Sequence, residues 1–361
     1  MRITGFNTTV VDLPLAKPIE TAIHQMRSVG CVLLELETDQ GLVGESYVFT
    51  LNGVRISALQ SMLDSFAPVV NGADPHDVNG LLDTIWRQIN PIGQEGFSVA
   101  AMTAIDVACW DLIGKNAEQP LHKLFGACRD EIKTYASGGL WLSQTIDELV
   151  SEAGEFIDMG FRSMKIRLGS DRIEEDIERV AAVRQAIGPD IELLSDANQG
   201  LPAKHAQRLG RELENYQVGW FEEPVNYRNL KGLSDLRKSL DIAIAGGETD
   251  YTHHGMQRIL EAEALDVLMP DLQRMGGYSE MRRSAALASA HHIPISTHIF
   301  TEHSLCIGGS EPGCISVEHM PWFAPLFNEP MEILEGNIKI PERVGTGFSF
   351  NQDTINKYKV N

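Results

Sequence analysis

Leu193-Leu-Ser-Asp196-Ala-Asn198, Trp220-Phe-Glu222-Glu223-Pro224 and Ala245-Gly-Gly-Glu248 are apolar runs that each meet a carboxylate where they stop, and the three carboxylates follow one another at intervals of 26 residues. Ser163-Met-Lys165-Ile-Arg167 precedes them. Val267-Leu-Met-Pro-Asp271, Pro294-Ile-Ser-Thr-His298 and Cys314-Ile-Ser-Val-Glu318 follow. Steps of 20 to 31 residues between the marked groups fit one strand, one loop and one helix of a βα unit. That is the register of a (β/α) barrel, in which catalytic groups gather at the C-terminal ends of the strands.

Outward from this block, the pattern between the runs is helical at about 146–159, 172–187, 202–214, 230–238, 251–262 and 278–291. Strict alternation of this kind predicts a parallel sheet, and seven or eight repeats favour closure into a barrel. The first part of the chain has another rhythm. Met1–Leu13, Val29–Thr38 and Leu42–Phe49 read as strands of an antiparallel meander, with Asp39-Gln-Gly41 as a turn. Helices are expected at about 54–70, 77–88 and 96–114, the last apolar almost all round and therefore buried. The domain division expected is an α+β unit over 1–128, completed by the turn-rich segment 340–361, and the barrel over 129–339.

The composition of the 361 residues is that of a globular protein, 43% hydrophobic and 22% charged. A net charge of −20 speaks against nucleic acid and anionic membrane as partners. No uncharged apolar run of about 18 residues and no signal-peptide core are seen, so the expectation is a cytoplasmic protein that does not span a membrane. The five cysteines show no paired spacing and read as reduced.

Asp196, Glu222 and Glu248 on successive strands would repel one another at a barrel mouth unless a divalent cation lay between them. An all-oxygen set without Cys or His suits Mg²⁺ rather than Zn²⁺. Asp271 and His298 come next round the barrel. A carboxylate bonded to one imidazole nitrogen fixes the tautomer and raises the basicity of the other, which makes a general base. Lys165 and Arg167, two residues apart on a strand, point to the same face opposite that base.

At these residues the chain resembles the enolase superfamily, mandelate racemase subgroup (the mandelate racemase/muconate lactonizing enzyme family). The resemblance runs the whole length and includes Leu13-Pro-Leu-Ala-Lys-Pro18, Trp110-Asp-Leu-Ile-Gly-Lys115 and Gly160-Phe-Arg-Ser-Met-Lys165. It implies a (β/α)7β modified TIM barrel under an α+β N-terminal capping domain. It further implies one Mg²⁺ per subunit on Asp196, Glu222 and Glu248, an Asp271–His298 dyad, and Glu318 donating a hydrogen bond or proton to substrate. The shared chemistry is abstraction of the proton α to a carboxylate, with the enediolate stabilised by Mg²⁺ and nearby cations. Homo-oligomers, from dimer to octamer, are implied as well.

The chain departs from the family at one telling place. Members commonly carry Lys-x-Lys on the second strand, whereas here the run is Lys165-Ile-Arg167. A guanidinium stays protonated near neutral pH, so Arg167 is a poor base but a good bidentate partner for an oxygen-rich substrate. Lys165 takes the family's contact to the substrate carboxylate. One-sided chemistry by His298 favours a dehydratase, in which the imidazole removes the α-proton and then expels the β-hydroxyl to give a 2-keto-3-deoxy acid. The alternatives are a racemase or epimerase of a 2-hydroxy or sugar acid, with Lys165 or Arg167 closing the second face, and a non-catalytic binder of an acidic ligand.

The polar segment Glu20-Thr-Ala-Ile-His24-Gln25-Met-Arg27 is expected over the barrel mouth, with His24 and Arg27 binding a hydroxylated acid, that is, a sugar acid. Ser137 is a candidate for the substrate carboxylate. Asn198 and Glu223 read equally as support for the site and as ordinary turn or packing residues, and Asp271 could also cap the following helix.

Overall fold

The computed structural model describes residues 1–360. Three strands, β1 (Ile3–Glu20), β2 (Gln25–Thr38) and β3 (Val43–Leu51), pair antiparallel in the order β1-β2-β3. β2 is central, and Val29 to Leu34 are buried on both faces, as a continuous apolar run requires. One face lies against the helix Phe97–Asn116. The packing is close enough that a Cβ on Gly44 would stand 2.3 Å from the Ala108 carbonyl oxygen. That helix is long and apolar enough to cross a membrane, yet 83% of its apolar window is buried inside the protein.

Eight parallel strands form the barrel: β4 (Glu131–Ala136), β5 (Ser163–Arg167), β6 (Glu192–Asp196), β7 (Val218–Glu222), β8 (Ala243–Gly246), β9 (Val267–Leu268), β10 (Ile295–Thr297) and β11 (Cys314–His319). They are ordered as in the chain, and β11 closes onto β4 with Val317 opposite Thr134. A hairpin of β12 (Ile333–Leu334) and β13 (Asn337–Lys339) adds antiparallel to β4. The chain then returns to the N-terminal sheet. Phe350 N donates to Glu45, and Val360 N to the Val10 carbonyl.

The fold is therefore a modified TIM barrel with an N-terminal capping sheet, and the barrel helices lie within about two residues of their expected bounds. Three elements differ from expectation. β1 continues to Glu20 because, after an irregularity between Pro14 and Ile19, pairing with β2 resumes at Ile19 opposite Met26 and Glu20 opposite Gln25. The helix expected at 54–70 is two pieces, Ile56–Asp64 and Ala67–Val70, with Pro68 in the first turn of the second. The helix Thr301–Ser310 carries no amphipathic stripe to read, because every residue in it is buried.

Candidate active site

Strand register brings the marked residues together. Arg167 lies opposite Asp196, Asp196 opposite Glu222, and Asp271 forms an isolated parallel bridge with His298. Glu248 comes two residues after β8, carried round by Gly246 and Gly247, both at positive φ. The floor beneath is the barrel's interior core, where Tyr135 and Trp220 meet edge to face at 5.2 Å. Above it opens a cavity of about 300 Å³, roofed by residues of β1–β3 and their connections. Gln273 clamps this roof to the barrel, accepting from Phe49 N at 2.7 Å and donating to Phe49 O at 3.2 Å.

Lys165 is 1% exposed and touches three carboxylates: Glu222 at 2.8 Å, Glu318 at 2.9 Å and Asp196 at 3.7 Å. Burial presses its pKa down, but the charges of Glu222 and Glu318 outweigh that and hold the ammonium protonated. Arg167 stacks on Trp141 at 4.7 Å and donates to Ser137 Oγ at 2.9 Å. Its Nε and Nη1 are buried without a hydrogen-bond partner, while its guanidinium lines the cavity. Such donors are costly unless something accepts from them.

Across the cavity, His298 Nδ1 is 2.7 Å from Asp271 Oδ2, and its Nε2 is 3.3 Å from Glu248. Burial lowers the imidazole pKa. The Glu248 charge, the Asp271 bond and Glu318 more than offset this and raise it to about 9. Asp271 also caps a short helix, since its Oδ1 accepts from Arg274 N at 2.8 Å. Both readings of this aspartate therefore hold at once, one on each oxygen. Glu318 accepts from Ser137 Oγ at 2.5 Å and from Ile299 N at 2.6 Å. Burial works against ionisation here, yet Lys165, His298 and Arg167 keep the group well below the usual carboxylate range. It is an acceptor in this arrangement. Ile299 and Phe300 both carry positive φ, backbone strain of the kind stored at functional sites.

The three acidic strand-end groups suit a divalent cation by donor chemistry: all are carboxylates, buried, with Glu222 and Glu248 in mutual repulsion. Burial first and then neighbouring carboxylates push Glu222 to about 8, against the opposing pull of Lys165, and Glu248 to about 7. Among the described residues no three His, Cys, Asp or Glu side chains converge closely enough to hold an ion, because Asp196 and Glu222 lean on Lys165 and Glu248 leans on His298.

His24 lines the cavity as expected, and so does Asn198, whose amide bonds Asp196 at 3.0 Å. Ser137 lies behind the cavity, joining Arg167 to Glu318. Arg27 is a correction. Its side chain is exposed and outside the cavity because alternation along β2 turns Met26 inward and Arg27 outward. Glu223 supports the site from its edge, accepting from Gln199 at 2.9 Å and Thr249 at 3.1 Å. The lining residues Arg274, Tyr251, Trp141 and Trp322 were not singled out from the sequence. Only Arg274, one turn after Asp271, had a readable signal.

Asp196, Glu248, Glu318 and His298 thus line one cavity at the mouth of an eight-stranded parallel barrel, the part of such a fold where active sites sit. Residues 4–126 match the Mandelate racemase / muconate lactonizing enzyme N-terminal domain, and residues 148–354 match the Enolase C-terminal domain-like family. The chain belongs to this mandelate racemase/muconate lactonizing enzyme family of the enolase superfamily. It is 31% identical to the D-galactarolactone cycloisomerase of Agrobacterium fabrum over 100% of this chain and 99% of that protein. It is also 31% identical to the L-talarate/galactarate dehydratase of Salmonella typhimurium over 97% of this chain and 89% of that one. A crystal structure of the latter from strain LT2, liganded with Mg and L-lyxarohydroxamate, superposes with a TM-score of 0.96 at 28% identity, covering 100% of this chain and 93% of that one.

Proposed function

We propose that the protein is a Mg²⁺-dependent hydro-lyase that removes water from a sugar acid to give a 2-keto-3-deoxy acid. Asp196, Glu222 and Glu248 would hold the ion. Bound there, Mg²⁺ supplies Lewis-acid charge that acidifies the carbon next to a carboxylate. Lys165 orients that carboxylate and balances its growing negative charge. His298 Nε2 takes the α-proton, with Asp271 fixing the tautomer, and then returns a proton to the β-hydroxyl as the C–O bond breaks. The enol that remains rearranges to the ketone. The observation that carries the reading is the asymmetry of the cavity: a dyad bonded at 2.7 Å on one side and, on the other, a guanidinium that takes no proton near neutral pH.

Racemisation needs an acceptor on both faces of the α-carbon. Lys165, tied to Glu222 and Glu318, is poorly placed to lose its proton. The test is incubation of the purified protein and Mg²⁺ with a panel of mono- and dicarboxylic sugar acids, scored by semicarbazide for 2-keto acid. The expected outcome is keto acid from at least one, abolished by His298→Asn. An epimer without keto acid would assign a racemase.

A further inference from the structure

The polar groups of the cavity fall into two sets on opposite sides, one around Lys165 and Arg167 and the other around Arg274, Tyr251 and His24. Resting on the sugar-acid reading above, we infer that the cavity has a second anion site at its rim, formed by Arg274, Tyr251, His24 and the start of the helix Phe97–Asn116, and that the substrate is therefore a dicarboxylic sugar acid.

The barrel sets the separation. β5, which carries Lys165 and Arg167, and β9, which leads to Asp271 and Arg274, are four places apart in a closed ring of eight. Strands so related face each other across the mouth. Arg274 is held firmly there: its backbone N bonds Asp271 at 2.8 Å and its Nη1 bonds the Glu248 carbonyl at 2.7 Å. Unlike Lys165 and Arg167, it has no carboxylate within 4.0 Å among the described residues. Its guanidinium, half-buried, lines the cavity with donors to spare.

Two further elements bring donors to the same place. Tyr251 stands beside Arg274 and the Gly96 amide, and burial keeps its hydroxyl protonated. Gly96 is the N-cap of the helix Phe97–Asn116, which has no side-chain cap and no acidic residue in its first turn. The unsatisfied N–H groups and positive end of the helix dipole add to the attraction for an anion. His24 reaches over from the roof. Partial burial and the Arg274 charge keep it neutral, so it meets a ligand as an N–H donor or an acceptor, according to tautomer.

With the reacting carboxylate at Lys165 and its α-carbon towards His298, the far end of a six-carbon chain lies at this rim. A second carboxylate there meets a fixed guanidinium bidentately, whereas the hydroxymethyl of a monocarboxylic sugar leaves that charge unanswered. The lining follows from loops on three separate elements, and no part of the proton-transfer chemistry requires it.

The experiment compares hexaric acids with the hexonic acids of matching configuration, by steady-state kinetics and by calorimetric binding with Mg²⁺, for the wild type, Arg274→Met and Arg274→Lys. The expected result is a kcat/KM about 100-fold higher for the diacid, as a charge-assisted contact gives. Arg274→Met should reduce that preference to below about tenfold, mainly through KM, and Arg274→Lys should restore part of it. Efficient turnover of monoacids with a preference indifferent to Arg274 would overturn the inference and leave the dehydratase standing. Tight, Arg274-dependent diacid binding without turnover would support the rim site and sink the dehydratase. Neither binding nor turnover of any acid would remove both.

Discussion

Arg167 is stacked on Trp141 and bonded to Ser137, and in the proposed mechanism its guanidinium stands where a proton acceptor for the second face of the substrate would have to be. Arg167→Lys places a deprotonatable amine in that position. The expected result, read by proton NMR, is new exchange or epimerisation at C2 together with slower dehydration. On the other face, His298 owes part of its raised pKa to Asp271. In Asp271→Asn that contribution is gone, so the imidazole loses its proton at lower pH. The acid limb of kcat/KM should therefore move to lower pH, while the plateau falls by about 10²–10⁴-fold because base strength and tautomer control are both lost. An unmoved acid limb would mean that another group titrates.

Among the elements, the helix Thr301–Ser310 holds Glu302 and His303 fully buried with none of their side-chain polar atoms bonded. Burial raises Glu302 from 4.5 to about 7. An acid raised on folding contributes stability that is complete below its unfolded pKa and is lost as pH rises through the folded one. Glu302→Gln should therefore stabilise the protein by about 1–3 kcal/mol at pH 8, with the gain shrinking towards pH 5, as calorimetric Tm would show. Equal gains at both pH values would point to packing instead. This helix was also the element least legible in the sequence, since it is buried on every side and only 10 residues long. The 20-residue Phe97–Asn116, equally without a stripe, shows itself by its length. The barrel strands were legible because each puts one polar residue at the end of an apolar run. Arg27 was misplaced because Glu20–Arg27 reads as one polar segment, whereas β2 already begins at Gln25 and a single step of alternation decides between cavity and solvent.

In the whole molecule, the metal and acid–base candidates come from the barrel strands, and much of the remaining cavity wall comes from the cap and the loops. Local sequence marks the first kind and not the second: Trp141, Trp322, Tyr251 and Phe49 are ordinary apolar or aromatic residues until the fold places them round the cavity. With Asp196, Glu222 and Glu248 as the proposed ligands, stability should depend on the cation. Mg²⁺ at 100 times its Kd should stabilise the folded chain by about 2.7 kcal/mol, and Glu248→Gln should lose most of that gain in a thermal scan. An equal Mg²⁺ response in the variant would exclude Glu248 as a ligand. The most direct test of one-sided proton abstraction is proton NMR of the Mg²⁺-loaded enzyme in D₂O with the sugar acid it turns over, for wild type and His298→Asn. The expected spectra show a 2-keto-3-deoxy product and no C2 epimer with the wild type, and neither product nor C2 exchange with the variant. A C2 epimer from the wild type, or undiminished exchange by His298→Asn, would contradict it.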